Sequence, residues 1–167
     1  MSVLNITMGG NPITLPFAPL AVGGKLPDFT LTANDLSPVA SSGLTGLRVF
    51  LAVPSLDTPV CDLEVRTFNA KAAELPGVSI YAVSMDLPFA QARWCGAAGV
   101  EAVKTLSDYR DRSFGKATGT LIDGLLLLTR AVFIVDAGGT VAYAQYVPEV
   151  RTAPDYDAAY AKLAALA

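Results

Sequence analysis

The sequence predicts an α/β fold: a mixed β-sheet as the middle of three layers, with helices on its faces. Three observations carry this. Two apolar runs, Leu47 to Val53 and Val78 to Ser84, flank an amphipathic stretch, and strand, helix, strand in about 35 residues is a βαβ unit with parallel strands. Arg130 to Val135 and Thr140 to Val147, joined by Asp136-Ala-Gly-Gly139, read as a hairpin, which makes the last two strands antiparallel. Finally, 167 residues with 52% hydrophobic and 16% charged side chains fit a well-buried core in a single domain over residues 1–167.

In chain order, Val3 to Met8 and Pro12 to Leu15 flank the turn cluster Gly9-Gly10-Asn11, so the chain opens on a β-hairpin. Pro27 to Leu31 is a short extended piece leading into a polar loop. After Gly46 comes the first strongly apolar strand, Leu47 to Val53. It feeds a helix that contains Cys61 and ends near Pro76-Gly77. Val78 to Ser84 is the next strand. A second helix starts near Asp86-Leu87-Pro88 and runs through Cys95, with Gly96 and Gly99 limiting its far end. Val103 to Leu106 is a short strand, and Asp108 to Ala117 a short helix containing Arg110. After the 130–147 hairpin, Pro154 to Leu166 forms an amphipathic helix with Tyr156, Tyr160 and Leu163 on one side.

Composition excludes several functions. With no histidine, Ser-His-Asp and Cys-His mechanisms and most transition-metal sites are ruled out, and two cysteines cannot alone build a structural zinc site. No phosphate-binding loop or dinucleotide fingerprint is present. The net charge of −3, without a basic stripe, gives no electrostatic reason to bind nucleic acid. Charged residues interrupt every apolar segment before it could span a bilayer, as Asp123 and Arg130 do around Gly124 to Thr129. Lys25 is the first cation, unlike the start of a secretory signal, so the expectation is a soluble cytoplasmic protein. In that compartment a cysteine pair is more often redox-active than a permanent staple.

Chemistry centres on Pro54-Ser-Leu-Asp-Thr58-Pro-Val-Cys61, which directly follows a buried strand. Thr58 then Pro59 is a helix start: a hydroxyl residue at the N-cap, then proline at the first helical position. Cys61 falls at the third helical residue, beside backbone N–H groups without intrahelical acceptors and near the positive end of the dipole, which favours a thiolate. A helix terminus supplies only about 0.3–1 kcal/mol, too little for a thiol whose free pKa is about 8.5. A guanidinium about 4 Å away could add several kcal/mol before desolvation, so the argument requires an arginine. Arg130, at the mouth of a strand of Ala, Val, Phe and Ile, is the candidate, since a buried arginine needs an anionic partner. An exposed strand-end arginine fits the pattern equally well. Cys61, Val65, Phe68, Ala72 and Leu75 also trace the buried stripe of an amphipathic helix, in which a cysteine can be inert packing.

Cys95 lies 34 residues after Cys61, on a different helix, so the pair is not a C-x-x-C motif. A bridge would need their Cα atoms within about 7 Å, which packed helices do not allow without local rearrangement; the Gly96 to Gly99 run makes fraying there feasible. The alternative for Cys95 is a buried small residue beside Trp94.

These residues are similar to a known family. Pro54, Thr58 and Cys61 match the P-x-x-x-[TS]-x-x-C motif of peroxiredoxins, and Ser84-Met-Asp-Leu-Pro-Phe-Ala-Gln-Ala-Arg-Trp-Cys95-Gly resembles the resolving-cysteine segment of their thiol peroxidase subfamily. The opening hairpin, Arg130 to Asp136 and Pro154-Asp-Tyr-Asp-Ala-Ala are similar too; Thr129 stands where alanine is expected. The resemblance implies a thioredoxin-like fold with a mixed central sheet flanked by helices and an N-terminal β-hairpin. It also implies an atypical two-cysteine peroxidase, a homodimer, acting on hydrogen peroxide and organic hydroperoxides and recycled by thioredoxin without a metal, flavin or haem. By the same resemblance Cys61 is the peroxidatic cysteine and Cys95 the resolving one, joined in a disulfide during turnover. Thr58 and Arg130 position peroxide and thiolate, Pro54 shields the sulfur, and Arg110 helps shape the entrance. The second function consistent with these residues is a redox sensor that uses the same disulfide without high catalytic flux.

Overall fold

The computed structural model describes residues 3–167. Strands β1 (Asn5–Met8) and β2 (Asn11–Thr14) form the opening antiparallel hairpin, with Gly9 (φ 58°) and Gly10 (φ 83°) turning between them. β3 (Thr30–Thr32) and β4 (Pro38–Ala40) are a second short antiparallel pair. The βαβαβ segment follows as β5 (Arg48–Ala52), α1 (Pro59–Ala72), β6 (Ser79–Ser84), α2 (Pro88–Ala98) and β7 (Val103–Ser107). Then come α3 (Ser113–Thr118), a two-residue pair β8 (Leu121–Ile122) and β9 (Leu127–Leu128), the hairpin β10 (Ala131–Val135) and β11 (Val141–Tyr146), and α4 (Tyr156–Leu166).

The seven strands of the main sheet lie in the order β11-β10-β5-β6-β7-β3-β4. β5, β6 and β7 are parallel, and the remaining pairs are antiparallel. β5 and β10 are buried at every position because both sheet faces are covered, which is why their sequences read as continuous apolar runs. Val49, Leu51, Ile134 and Val132 pack with Val65 and Phe68 of α1 and Leu163 of α4. Phe50, Ala52, Phe133 and Val135 point the other way, onto Phe29, Phe114 and Leu128. Tyr156 and Tyr160 sit on one side of α4, with ring centroids 5.8 and 5.4 Å from that of Phe68.

The mixed sheet flanked by helices and the N-terminal hairpin are those expected. Three local expectations need correction. α1 ends at Ala72, before the turn at Gly77 (φ 86°), rather than at Pro76-Gly77 itself. The helix expected over Asp108 to Ala117 is only Ser113–Thr118: Arg112 takes a left-handed conformation (φ 55°) and Asp108 caps from a distance, its carboxylate accepting the N–H groups of Phe114 (3.1 Å) and Gly115 (2.8 Å). β4 and the β8–β9 pair are strands of two or three residues with no sequence signal of their own. Gly99 does end α2, in a left-handed conformation (φ 66°).

Candidate active site

α1 starts where the chain leaves β5. Thr58 is its N-cap (φ −105°, ψ 146°), Pro59 its first residue and Cys61 its third, as the sequence requires. The expected capping hydrogen bond is absent, however. The Thr58 hydroxyl donates back to the Ser55 carbonyl at 2.9 Å, leaving the N–H groups of Val60 and Cys61 without a side-chain acceptor. The loop before the helix is fixed by Asp86, beyond β6, whose carboxylate accepts from the Ser55 hydroxyl (2.8 Å), the Leu56 N–H (2.9 Å) and the Ser84 hydroxyl (2.7 Å).

Cys61 is wholly buried, and Arg130, just before β10, is 2% exposed. The guanidinium is used on three sides: Nη2 donates to Cys61 Sγ at 3.1 Å, Nη1 to Glu64 Oε2 at 2.6 Å, and Nε to the Val150 carbonyl at 2.8 Å. Arg130 is therefore neither exposed nor free to swing. Burial disfavours its charge, but the charges of and hydrogen bonds to Cys61 and Glu64 outweigh that and raise its pKa. Glu64 is fully buried, and burial pushes its carboxyl up to about 7 despite the opposing Arg130. Its second oxygen, Oε1, has no partner among the described residues. One guanidinium thus faces a sulfur and a carboxylate together.

Glu64 is not among the residues that the sequence singles out. The signal was there, since Glu64 is three residues after Cys61 and so shares its helix face, but an acidic residue beside a buried stripe reads as solvated until its partner is known. An apolar cavity of about 360 Å³ at the start of α1 is lined by Pro54, Thr58 and Arg130, among others, and reaches Cys61 through the Arg130 guanidinium that contacts its sulfur. Pro54, Thr58, Cys61 and Arg130 are thus brought together. Arg110 is not: it is exposed in the turn before α3 and does not line this cavity, whose second arginine, beside Arg130, is Arg151.

Cys95, half-buried on α2, is a free thiol, as is Cys61. Its Sγ lies 3.5 Å from Thr105 Oγ1 of β7, beside the loop 33–37. Its neighbour Trp94 faces α1 instead, with Nε1 donating to Asp62 Oδ1 at 2.8 Å. Arg66 binds the other oxygen of Asp62 (2.8 Å), donates to the Ala98 carbonyl (3.1 Å) and lies 5.8 Å from the Trp94 ring centroid. The residue after one cysteine is therefore clasped to the residue before the other.

A buried thiol at a helix start, paired with a guanidinium on a thioredoxin-like sheet, defines a thiol-based oxidoreductase. The Redoxin family model matches residues 21–160. The chain is 56% identical to a thiol peroxidase of Clostridium acetobutylicum over 92% of this chain and 94% of that one, and 53% identical to a thiol peroxidase of Halalkalibacterium halodurans over 93% and 94%. Among solved structures it is similar to a peroxiredoxin-like protein from Aquifex aeolicus, with 40% identity, a TM-score of 0.92 and all of both chains covered. The chain belongs to the Redoxin family, among its thiol peroxidases, and is a peroxidase of the oxidoreductase class. Among the described residues no helix is long and apolar enough to cross a membrane.

Proposed function

We propose that the protein reduces hydrogen peroxide and organic hydroperoxides through a sulfenic acid on Cys61 and a Cys61–Cys95 disulfide, which thioredoxin or a similar dithiol donor reopens. The observation that carries this reading is the 3.1 Å contact between Arg130 Nη2 and a sulfur in the first turn of α1. A guanidinium at that distance stabilises the anionic sulfur and then the charge that moves to oxygen.

The thiolate attacks the terminal oxygen of the hydroperoxide. The S–O bond forms as the O–O bond breaks, and the leaving oxygen departs as water or alcohol after taking a proton. In this cycle the uncapped N–H groups of Val60 and Cys61 donate to the peroxide and the Thr58 hydroxyl oxygen accepts from it, holding it in line, while Pro54 limits access of water. The Cys95 thiol then displaces the sulfenic hydroxyl as water. Because Cys95 packs against Thr105, this step requires the start of α1 and the last turn of α2 to loosen, with Gly96 and Gly99 lowering the cost on α2. A dithiol reductant finishes the cycle by exchange. We place this activity in the cytoplasm, in a homodimer, where a reversible disulfide has a reductant at hand.

The test is mass spectrometry of the reduced protein after one equivalent of hydroperoxide. A Cys61–Cys95 linkage that disappears on adding reduced thioredoxin supports the cycle. Cys61→Ser removes even the first turnover, and Cys95→Ser keeps the first turnover and loses recycling. Equal peroxide consumption by wild type and Cys61→Ser overturns the reading.

A further inference from the structure

The cavity at the start of α1 holds a charge that the cycle does not use. Its walls are mostly apolar, formed by Met8, Pro54, Val60, Leu127 and Val150, with Arg130 and Arg151 also in its lining. Arg130 is fully engaged with Glu64, Cys61 and the Val150 carbonyl. Arg151 is exposed, and its guanidinium makes no ion pair or hydrogen bond among the described residues.

The acidic side chain nearest in sequence, Glu149, makes no ion pair with it. Both oxygens of Glu149 are turned onto the opening hairpin, accepting the Thr7 hydroxyl (2.5 Å), the N–H groups of Gly9 (2.8 Å) and Gly10 (3.1 Å) and the backbone N–H of Arg151 itself (3.1 Å). The guanidinium rests instead on the bare backbone of Gly9, where a Cβ would come within 2.6 Å of Nη1. Because Arg130 binds the carbonyl of Val150, the residue preceding Arg151, the chain that supports the reactive centre also sets the place of this second cation.

We propose that Arg151 anchors the carboxylate of an acidic hydroperoxide, so that the cavity prefers substrates in which an apolar chain separates a carboxylate from the –OOH group. The apolar walls bind the chain, and the planar fork of Arg151 takes the carboxylate through charge-assisted hydrogen bonds. A neutral ester of the same shape fills the walls equally and leaves the fork unpaired. This inference rests on the peroxidase reading above and adds a specificity to it.

The experiment compares linoleic acid hydroperoxide with its methyl ester, presented in the same detergent, for wild type, Arg151→Gln, Arg151→Lys and Arg151→Glu. The readout is the ratio of kcat/KM for acid over ester, in which a general loss of activity cancels. Wild type is expected to favour the acid about tenfold, the size of one charge-assisted contact. Arg151→Gln brings the ratio to about one, Arg151→Lys retains part of it, Arg151→Glu inverts it, and added salt compresses the wild-type ratio. A wild-type ratio near one, or an unchanged ratio in Arg151→Gln, overturns the inference alone. Consumption of neither hydroperoxide by wild type would instead overturn the peroxidase cycle beneath it.

Discussion

Replacing Glu64 with glutamine tests how the buried cation is shared. In the folded protein burial holds the Glu64 carboxyl at about 7, against an ordinary value of 4.5. A carboxyl whose folded pKa is raised binds its proton more tightly in the native state, so its contribution to stability is greatest below the unfolded value and is lost as pH rises from about 4.5 to about 7. That shift corresponds to about 3 kcal/mol at 1.36 kcal/mol per unit. The glutamine keeps an acceptor for Arg130 Nη1 and does not titrate. The stability difference between Glu64→Gln and the wild type should therefore move by about 3 kcal/mol in favour of the variant between pH 4.5 and pH 7.5. Urea denaturation of the reduced proteins at several pH values measures it. Asp108, also pushed up to about 6, mainly by burial, is present in both proteins and cancels in the difference. A difference that stays flat across this range would refute the reasoning.

Other substitutions probe the supports of the site. Loosening the clasp between Asp62, Trp94 and Arg66 with Trp94→Phe should speed formation of the Cys61–Cys95 disulfide several-fold after a peroxide pulse, as read by thiol alkylation and mass spectrometry; an unchanged rate would mean the clasp is not what holds the helices closed. In the wild type the sole tryptophan, Trp94, should change its fluorescence when the disulfide forms. Asp86→Ala strands the Ser55 and Ser84 hydroxyls and the Leu56 N–H, and is expected to cost about 1–3 kcal/mol in urea denaturation and to slow the first oxidation of Cys61. Phe133→Ala, deep between Phe114 and Tyr146, should cost about 3–5 kcal/mol by the same assay.

The central features of the fold were legible because their signals are local. A run such as Leu47 to Val53 is too short for a buried helix and rich in Val and Phe, which favours a buried strand, Thr58-Pro59 marks a helix start within one residue, and Gly99 stops α2 through its left-handed conformation. What was illegible depends on partners distant in sequence. Glu64 becomes an ion-pair partner only because Arg130, 66 residues later, is brought against it. Asp108 shortens α3 by accepting N–H groups six and seven residues on, which no helix-propensity argument contains. The Thr58 hydroxyl turns to Ser55 instead of capping, a choice between two local acceptor geometries that the residue type alone leaves open. Arg110 was placed near the entrance by resemblance alone; among the arginines of the described residues, Arg151 is the one at the cavity beside Arg130, through the turn after β11.

The account depends most on the guanidinium beside the sulfur. Its direct measurement is the rate at which one equivalent of hydroperoxide oxidises Cys61 at neutral pH, compared between Glu64→Gln and the double variant Glu64→Gln with Arg130→Gln, a pair in which no buried carboxylate is stranded. The account predicts that losing Arg130 slows oxidation by about 10²–10³-fold, the size of removing one donor aimed at a developing charge. Rates within a few-fold of each other, with both proteins folded, would contradict it.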